Sequence, residues 1–91
     1  MALIVHFSPK GMDLAKYTEV LRRLEASGAG APPGRLHHTC YGDKDALKVV
    51  DLFDTPANFE AFGRTLVPIL SQLGIDVGKP DVIEVHNVIR G

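Results

Sequence analysis

Residues 47–62 read LKVVDLFDTPANFEAF, and they change character at Thr55-Pro56. Before that pair the run is β-branched and aromatic, as a strand requires. Thr55 is an N-cap residue and Pro56 suits the first helical position. Phe59, Phe62, Leu66, Ile69, Leu70 and Leu73 then recur at helical spacing up to Gly74. Pro68 lies inside that helix and predicts a kink near Arg64 and Thr65, or two shorter pieces. A strand feeding directly into a long helix is half of a βαβ-type unit, so the question is what surrounds it.

Upstream, residues 35–41 (RLHHTCY) form a second strand, joined to the first by turn residues Gly42, Asp43, Lys44 and Asp45. Further back, residues 2–7 (ALIVHF) read as a strand closed by Ser8-Pro9-Lys10-Gly11. Asp13 is placed to cap a helix over about residues 13–27, with Leu14, Tyr17, Val20, Leu21 and Leu24 on its apolar stripe and Gly28 as its stop. Downstream, residues 82–89 (VIEVHNVI) read as the last strand. The order βαββαβ predicts a ferredoxin-like α+β fold: four strands in order 4-1-3-2, two helices on one face, and strands one and three as a parallel central pair.

The chain has 91 residues, 45% of them hydrophobic and 23% charged, with a mean hydropathy of +0.06. This is globular composition, and its length suits one domain over residues 1–91. A chain this short buries only roughly 60% of its unfolded surface, which favours an oligomer. Ten basic residues against eleven acidic ones give a formal charge of −1. Spread along the chain, these charges leave no basic footprint, so no nucleic-acid partner is expected. No stretch approaches a membrane span and residues 1–7 lack the basic start of a leader, so no membrane association is expected and the cytoplasm is the expected compartment. One cysteine, Cys40, excludes an internal disulfide and a CxxC redox or zinc pair.

The uncovered sheet face is where function is expected. Leu3, Val5 and Phe7 suit the helices, which sends Ile4 and His6 to the open side. Assigning Val50 and Leu52 to the helix side puts Asp51 on the open face too. A carboxylate at mid-strand needs a partner, and His6 can supply it. His6 with Asp51 is therefore the primary candidate pair. His37 and His38 leave strand two on opposite faces, and the hairpin register decides which joins Asp51. The wetter set Arg35, His37, Thr39 and Tyr41 favours His38. In strand four, Ile83, Val85 and Ile89 are assigned to the helices and His86 to the open face. His6, His38, Asp51 and His86 together would suffice for a divalent metal or for acid–base work near neutral pH, though none sits at a recognised metal-ligand spacing. No nucleotide-binding or acyl-enzyme motif is present, and no cofactor is expected.

VVDLFDTPANFEAF, residues 49–62, resembles the strand-to-helix signature of the dimeric α+β barrel group that includes the antibiotic-biosynthesis monooxygenases. Phe53 stands where that family places a Trp, and Val49 where it often has a polar residue. The resemblance implies a homodimer with open sheet faces packed together. It also implies a pocket between sheet and helices for a small organic molecule, serving a cofactor-independent monooxygenase or an isomerase acting on a phenolic or quinone-like substrate. In that setting His6 would be the general base oriented by Asp51, His38 and His86 would bind substrate oxygens, and Phe53 and Phe59 would pack its ring. Two other classes stand beside the enzyme: a non-catalytic ligand-binding or structural dimer, and a divalent-metal protein built on the histidines.

Overall fold

The computed structural model describes residues 1–90; Gly91, the last residue of the expected 1–91 domain, lies outside them. The elements are β1 (Leu3–Phe7), α1 (Leu14–Ala26), β2 (Arg35–Asp43), β3 (Ala46–Phe53), α2 (Pro56–Gln72) and β4 (Asp81–Glu84). Their sheet order is β2-β3-β1-β4, the ferredoxin-like order expected. Two expectations need correction. β1 pairs with β3 antiparallel, Val5 opposite Asp51, so the central pair is not parallel. The sheet is also open: β2 and β4 are its two edges and do not pair with each other, so the chain forms no barrel.

Both helices start where the sequence caps them. The Asp13 carboxylate accepts from the Lys16 N–H at 2.8 Å, and the Thr55 hydroxyl accepts from the Asn58 N–H at 3.2 Å, each satisfying an otherwise orphaned donor. α2 runs unbroken through Pro68, as one helix and not two pieces. Arg22 and Arg23 both hydrogen-bond Glu19 and hold its carboxyl down to about 2, and Arg23 also reaches Gln72 on α2 at 3.3 Å. Among the described residues no helix is long and apolar enough to cross a membrane.

The core lies between the sheet and the helices, and gathers Leu3, Val5 and Phe7 with Leu47, Val49 and Phe53, Val20 and Leu24, and Phe62 and Leu70. β1 therefore faces as expected, whereas β3 is reversed. Its odd-numbered residues, Asp51 among them, face the helices, and Val50 and Leu52 are half-buried on the other side. A strand apolar on both faces does not declare its parity by hydrophobicity alone. Lys48, exposed and sharing parity with Val50 and Leu52, is the residue that does.

β4 is shorter than expected. It pairs Leu3 with Glu84, and one further bond, from the Val85 N–H to the Ala2 carbonyl at 3.0 Å, ends the contact. Ile83 lies opposite Ile4 and shares its face, the reverse of the expected assignment. His86 is exposed and beyond the strand.

The loop entering β2 is held by Gly34, with φ at +81° and its carbonyl accepting from the Asp54 N–H at 2.9 Å. A Cβ there would stand 2.3 Å from Asp54 Oδ1 and 2.4 Å from Asn58 Nδ2. Gly28, with φ at +82°, has nothing within 4 Å of its would-be Cβ. Gly34→Ala is expected to cost about 1–3 kcal/mol of stability through backbone strain, plus the cost of the clash. Gly28→Ala is expected to show the strain alone. Urea unfolding of the two variants separates the terms, and equal losses would show that the loop yields.

Candidate active site

Three polar side chains converge between the sheet and α1. The β2–β3 hairpin turns on only two residues, Lys44 and Asp45, which sets His38 opposite Asp51 and Cys40 opposite Val49. Directly opposed residues share a face, so His38 and Asp51 both project toward the helices. The Asp51 carboxylate, 2% exposed, bonds His38 Nδ1 through Oδ1 at 2.5 Å. From α1, the Tyr17 hydroxyl bonds His38 Nε2 at 2.7 Å. The phenol and imidazole rings lie 6.1 Å apart between centroids and within 6° of parallel.

Burial, reinforced by the neighbouring Cys40 thiol and by Asp51, pushes the Tyr17 phenol up, with Arg35 acting in the opposite direction. Through the neutral range the phenol therefore keeps its proton, and it donates to Nε2 when the imidazole is neutral. The imidazole proton is left on Nδ1, where it is donated to Asp51. The result is a directional chain, Tyr17 to His38 to Asp51. Burial also pushes the Cys40 thiol up, against a lowering contact with Tyr17, so the thiol stays protonated and poorly nucleophilic.

Tyr17, His38, Asp51 and Arg35 line a cavity of about 50 Å³ whose apolar wall includes Phe7, Met12, Val20, Leu24, Leu66 and Leu70. That volume holds a few waters; a benzene-sized guest occupies a cavity of about 150 Å³. A ring-shaped ligand thus needs the wall to give. Leu21, on the helical wall and 42% exposed, is less confined than the buried residues beside it.

The residues predicted from sequence divide between two faces. His6 and Asp51 do not meet: His6 is on the open face, sharing a hydrogen bond with Tyr41 and standing 3.9 Å from Asp81. Asp51 instead meets His38. His86 joins neither group. Phe53 packs on Phe59 and Phe62 at centroid distances of 5.5 and 5.8 Å, and the cavity wall takes Phe7 and Phe62 in place of Phe53 and Phe59. The set His6, His38, Asp51 and His86 is not assembled, and among the described residues no group of three or more His, Cys, Asp or Glu could hold a metal ion.

Sequence reading missed Tyr17 and Arg35. Its spacing puts Tyr17 in the apolar stripe of α1, yet a tyrosine in such a stripe needs a partner for its hydroxyl once buried. Simple alternation groups Arg35 with His37, Thr39 and Tyr41. A β-bulge at Leu36 breaks that alternation: Arg35 pairs with Phe53 and His37 with Leu52, which turns Arg35 to the helix face.

No protein-family model matches the chain, and no curated protein matches it in sequence. Its fold is similar to that of SnoaB, a cofactor-independent oxygenase from Streptomyces nogalater, with a TM-score of 0.63 at 14% identity over 99% of this chain and 96% of that one. A protein from Chloroflexus aurantiacus provisionally named an antibiotic biosynthesis monooxygenase gives 0.60 at 17% identity, over 99% and 97% of the two chains. NE2512 of Nitrosomonas europaea, a protein of unknown function, gives 0.56 at 17% identity over 99% and 94%. What the chain shares with an oxygenase and with a protein of unknown function, at such identities, is the fold.

Proposed function

We propose that this chain is a small cytoplasmic homodimeric enzyme that removes a proton from a weakly acidic organic molecule held between sheet and helices, in a cofactor-independent reaction of the monooxygenase or isomerase type. The observation that carries this reading is the Tyr17–His38–Asp51 chain at the cavity wall. A substrate O–H placed against the Tyr17 oxygen gives its proton to that oxygen as Tyr17 passes its own to His38 Nε2. The O–H bond breaks and its electron pair stays on the substrate. Asp51 then faces an imidazolium through the Nδ1–H bond already in place. The electron-rich anion can pass electrons to dioxygen, as an oxygenase requires, or take a proton back at another atom, as an isomerase requires. The likeness in fold to SnoaB agrees with the first outcome. The test is Asp51→Asn, which is expected to abolish proton removal and leave the fold intact.

A binding or structural dimer without chemistry is favoured by a different observation: among the described residues no buried side-chain nitrogen or oxygen lacks a hydrogen-bond partner. In that reading the three groups satisfy one another and serve stability, and the same variant changes stability only.

The dimer rests on the uncovered sheet face. Ile4 and Ile83 lie side by side there with Leu52, and His6 with Asp81 and Val50 form the next row. Ile83 is 55% exposed. A second copy meeting this face about a two-fold axis would bury these apolar side chains. Ile83→Asp is expected to convert dimer to monomer in sedimentation equilibrium, with an unchanged circular dichroism spectrum. A wild-type monomer at micromolar concentration would overturn the dimer.

A further inference from the structure

We infer that Arg35 is the specificity-determining residue of this cavity, selecting substrates that become oxyanions, phenols and enols above all. The inference rests on the proposed Tyr17–His38–Asp51 base and names what the base acts upon.

Arg35 reaches the cavity only because of the bulge at Leu36, which reverses its side relative to His37 and Thr39. A bulge that re-aims one side chain interrupts the hydrogen-bond ladder, and such irregularities gather beside functional sites. The guanidinium donates from Nη2 to the Gly30 carbonyl at 3.0 Å and lies 5.7 Å from the centre of the Phe62 ring, so it is fixed in place. Five N–H groups belong to a guanidinium, and this one bond uses a single donor. Among the described residues Arg35 forms no salt bridge. Its charge is felt at the Tyr17 phenol, whose oxygen takes the substrate's proton in the proposed step.

The charges support the assignment. Before reaction, Arg35 and the Asp51 carboxylate offset each other, with His38 and the substrate neutral. After proton transfer the imidazolium lies against Asp51 and the new oxyanion lies within the field of Arg35, so the sum is again zero. Without Arg35 the oxyanion, imidazolium and Asp51 carboxylate would together leave a net negative charge against an apolar wall, which is costly. An arginine cannot lose its charge here, so it favours the anion whatever the protonation of the base.

The test uses 4-nitrophenol and its neutral methyl ether, 4-nitroanisole, in a buffer below the phenol's own pKa. Nitrophenolate absorbs in the visible and nitrophenol does not. Wild type is expected to bind the phenol about tenfold to a hundredfold more tightly than the ether, the range of a charge-assisted hydrogen bond, and to raise the visible absorbance. Arg35→Met is expected to remove that preference while keeping affinity for the ether. Arg35→Lys, which keeps the charge without the fork, is expected to fall between the two and serves if the methionine variant does not fold. Equal preference in wild type and Arg35→Met would overturn the inference with the base intact. Undiminished ionisation in His38→Gln with an Arg35-dependent preference for the phenol would overturn the base and uphold Arg35. A wild type that binds phenol and ether equally, without visible absorbance, would overturn both.

Discussion

Asp51→Asn is expected to leave a folded protein in which a bound phenol is no longer ionised and turnover falls by about 10²–10⁴, the usual contribution of a positioned acid–base group. The expectation follows from the two ways an amide can sit at this position. If its NH₂ faces His38, it donates to Nδ1, the imidazole proton moves to Nε2, and the ring has no lone pair left for Tyr17 or substrate. If its oxygen faces His38, the Nδ1–H bond survives, but the negative charge that stabilises the imidazolium is gone. Both arrangements disable the same step, by wrong tautomer or by lost charge. Stability is expected to change little, because the amide keeps the shape of the carboxyl and a buried carboxylate carries a desolvation cost that the amide avoids. Visible absorbance of bound 4-nitrophenol reads the first effect, and thermal unfolding reads the second. Full ionisation in the variant would remove Asp51 from the mechanism. A large stability loss in a variant that still ionises its ligand would leave the non-catalytic reading in place.

The element order was legible because each boundary has local chemistry: Asp13 and Thr55 cap the two helices, and the two-residue turn at Lys44 and Asp45 lies within the turn residues anticipated. β1 was legible for its facing as well, since Leu3, Val5 and Phe7 all point to the core. The facing of β3 was not. Leu47, Val49 and Phe53 compete with Val50 and Leu52, and assigning the latter pair to the helix side reverses the strand and sends Asp51 to the wrong face. The acid is at the core because His38 meets it there, a fact of hairpin register that depends on a turn length left open by composition. The bulge at Leu36 was equally hidden, and with it the facing of Arg35. Local signals thus delivered the elements, whereas the site depends on parity, which is a property of pairs of strands.

Phe53→Ala is expected to be the most destabilising of these substitutions, by about 3–5 kcal/mol. Phe53 is fully enclosed, 0% exposed, at the point where β3 hands the chain to α2, and its ring touches both Phe59 and Phe62 across the sheet–helix boundary. Truncation removes the transfer energy of a ring and leaves a cavity whose walls, strands on one side and a capped helix on the other, cannot close. Stability of roughly 0.05–0.15 kcal/mol per residue means that such a loss takes a large share of what holds this chain folded. The melting temperature should fall by at least ~12 °C, taking the lower end of the usual 4–8 °C per kcal/mol for a domain this small. Phe53→Leu, which keeps most of the volume, is expected to lose far less. Urea denaturation with an unchanged m-value is the measurement. The same experiment bears on the site, because Phe53 supports the cavity from behind through Phe62, which also carries the Arg35 guanidinium. If Phe53→Leu retains the preference for nitrophenol over nitroanisole, Phe53 acts through packing alone. If that preference collapses while the fold holds, the ring at residue 53 reaches the ligand, and the cavity extends further toward β3 than its lining by Phe7 and Phe62 indicates.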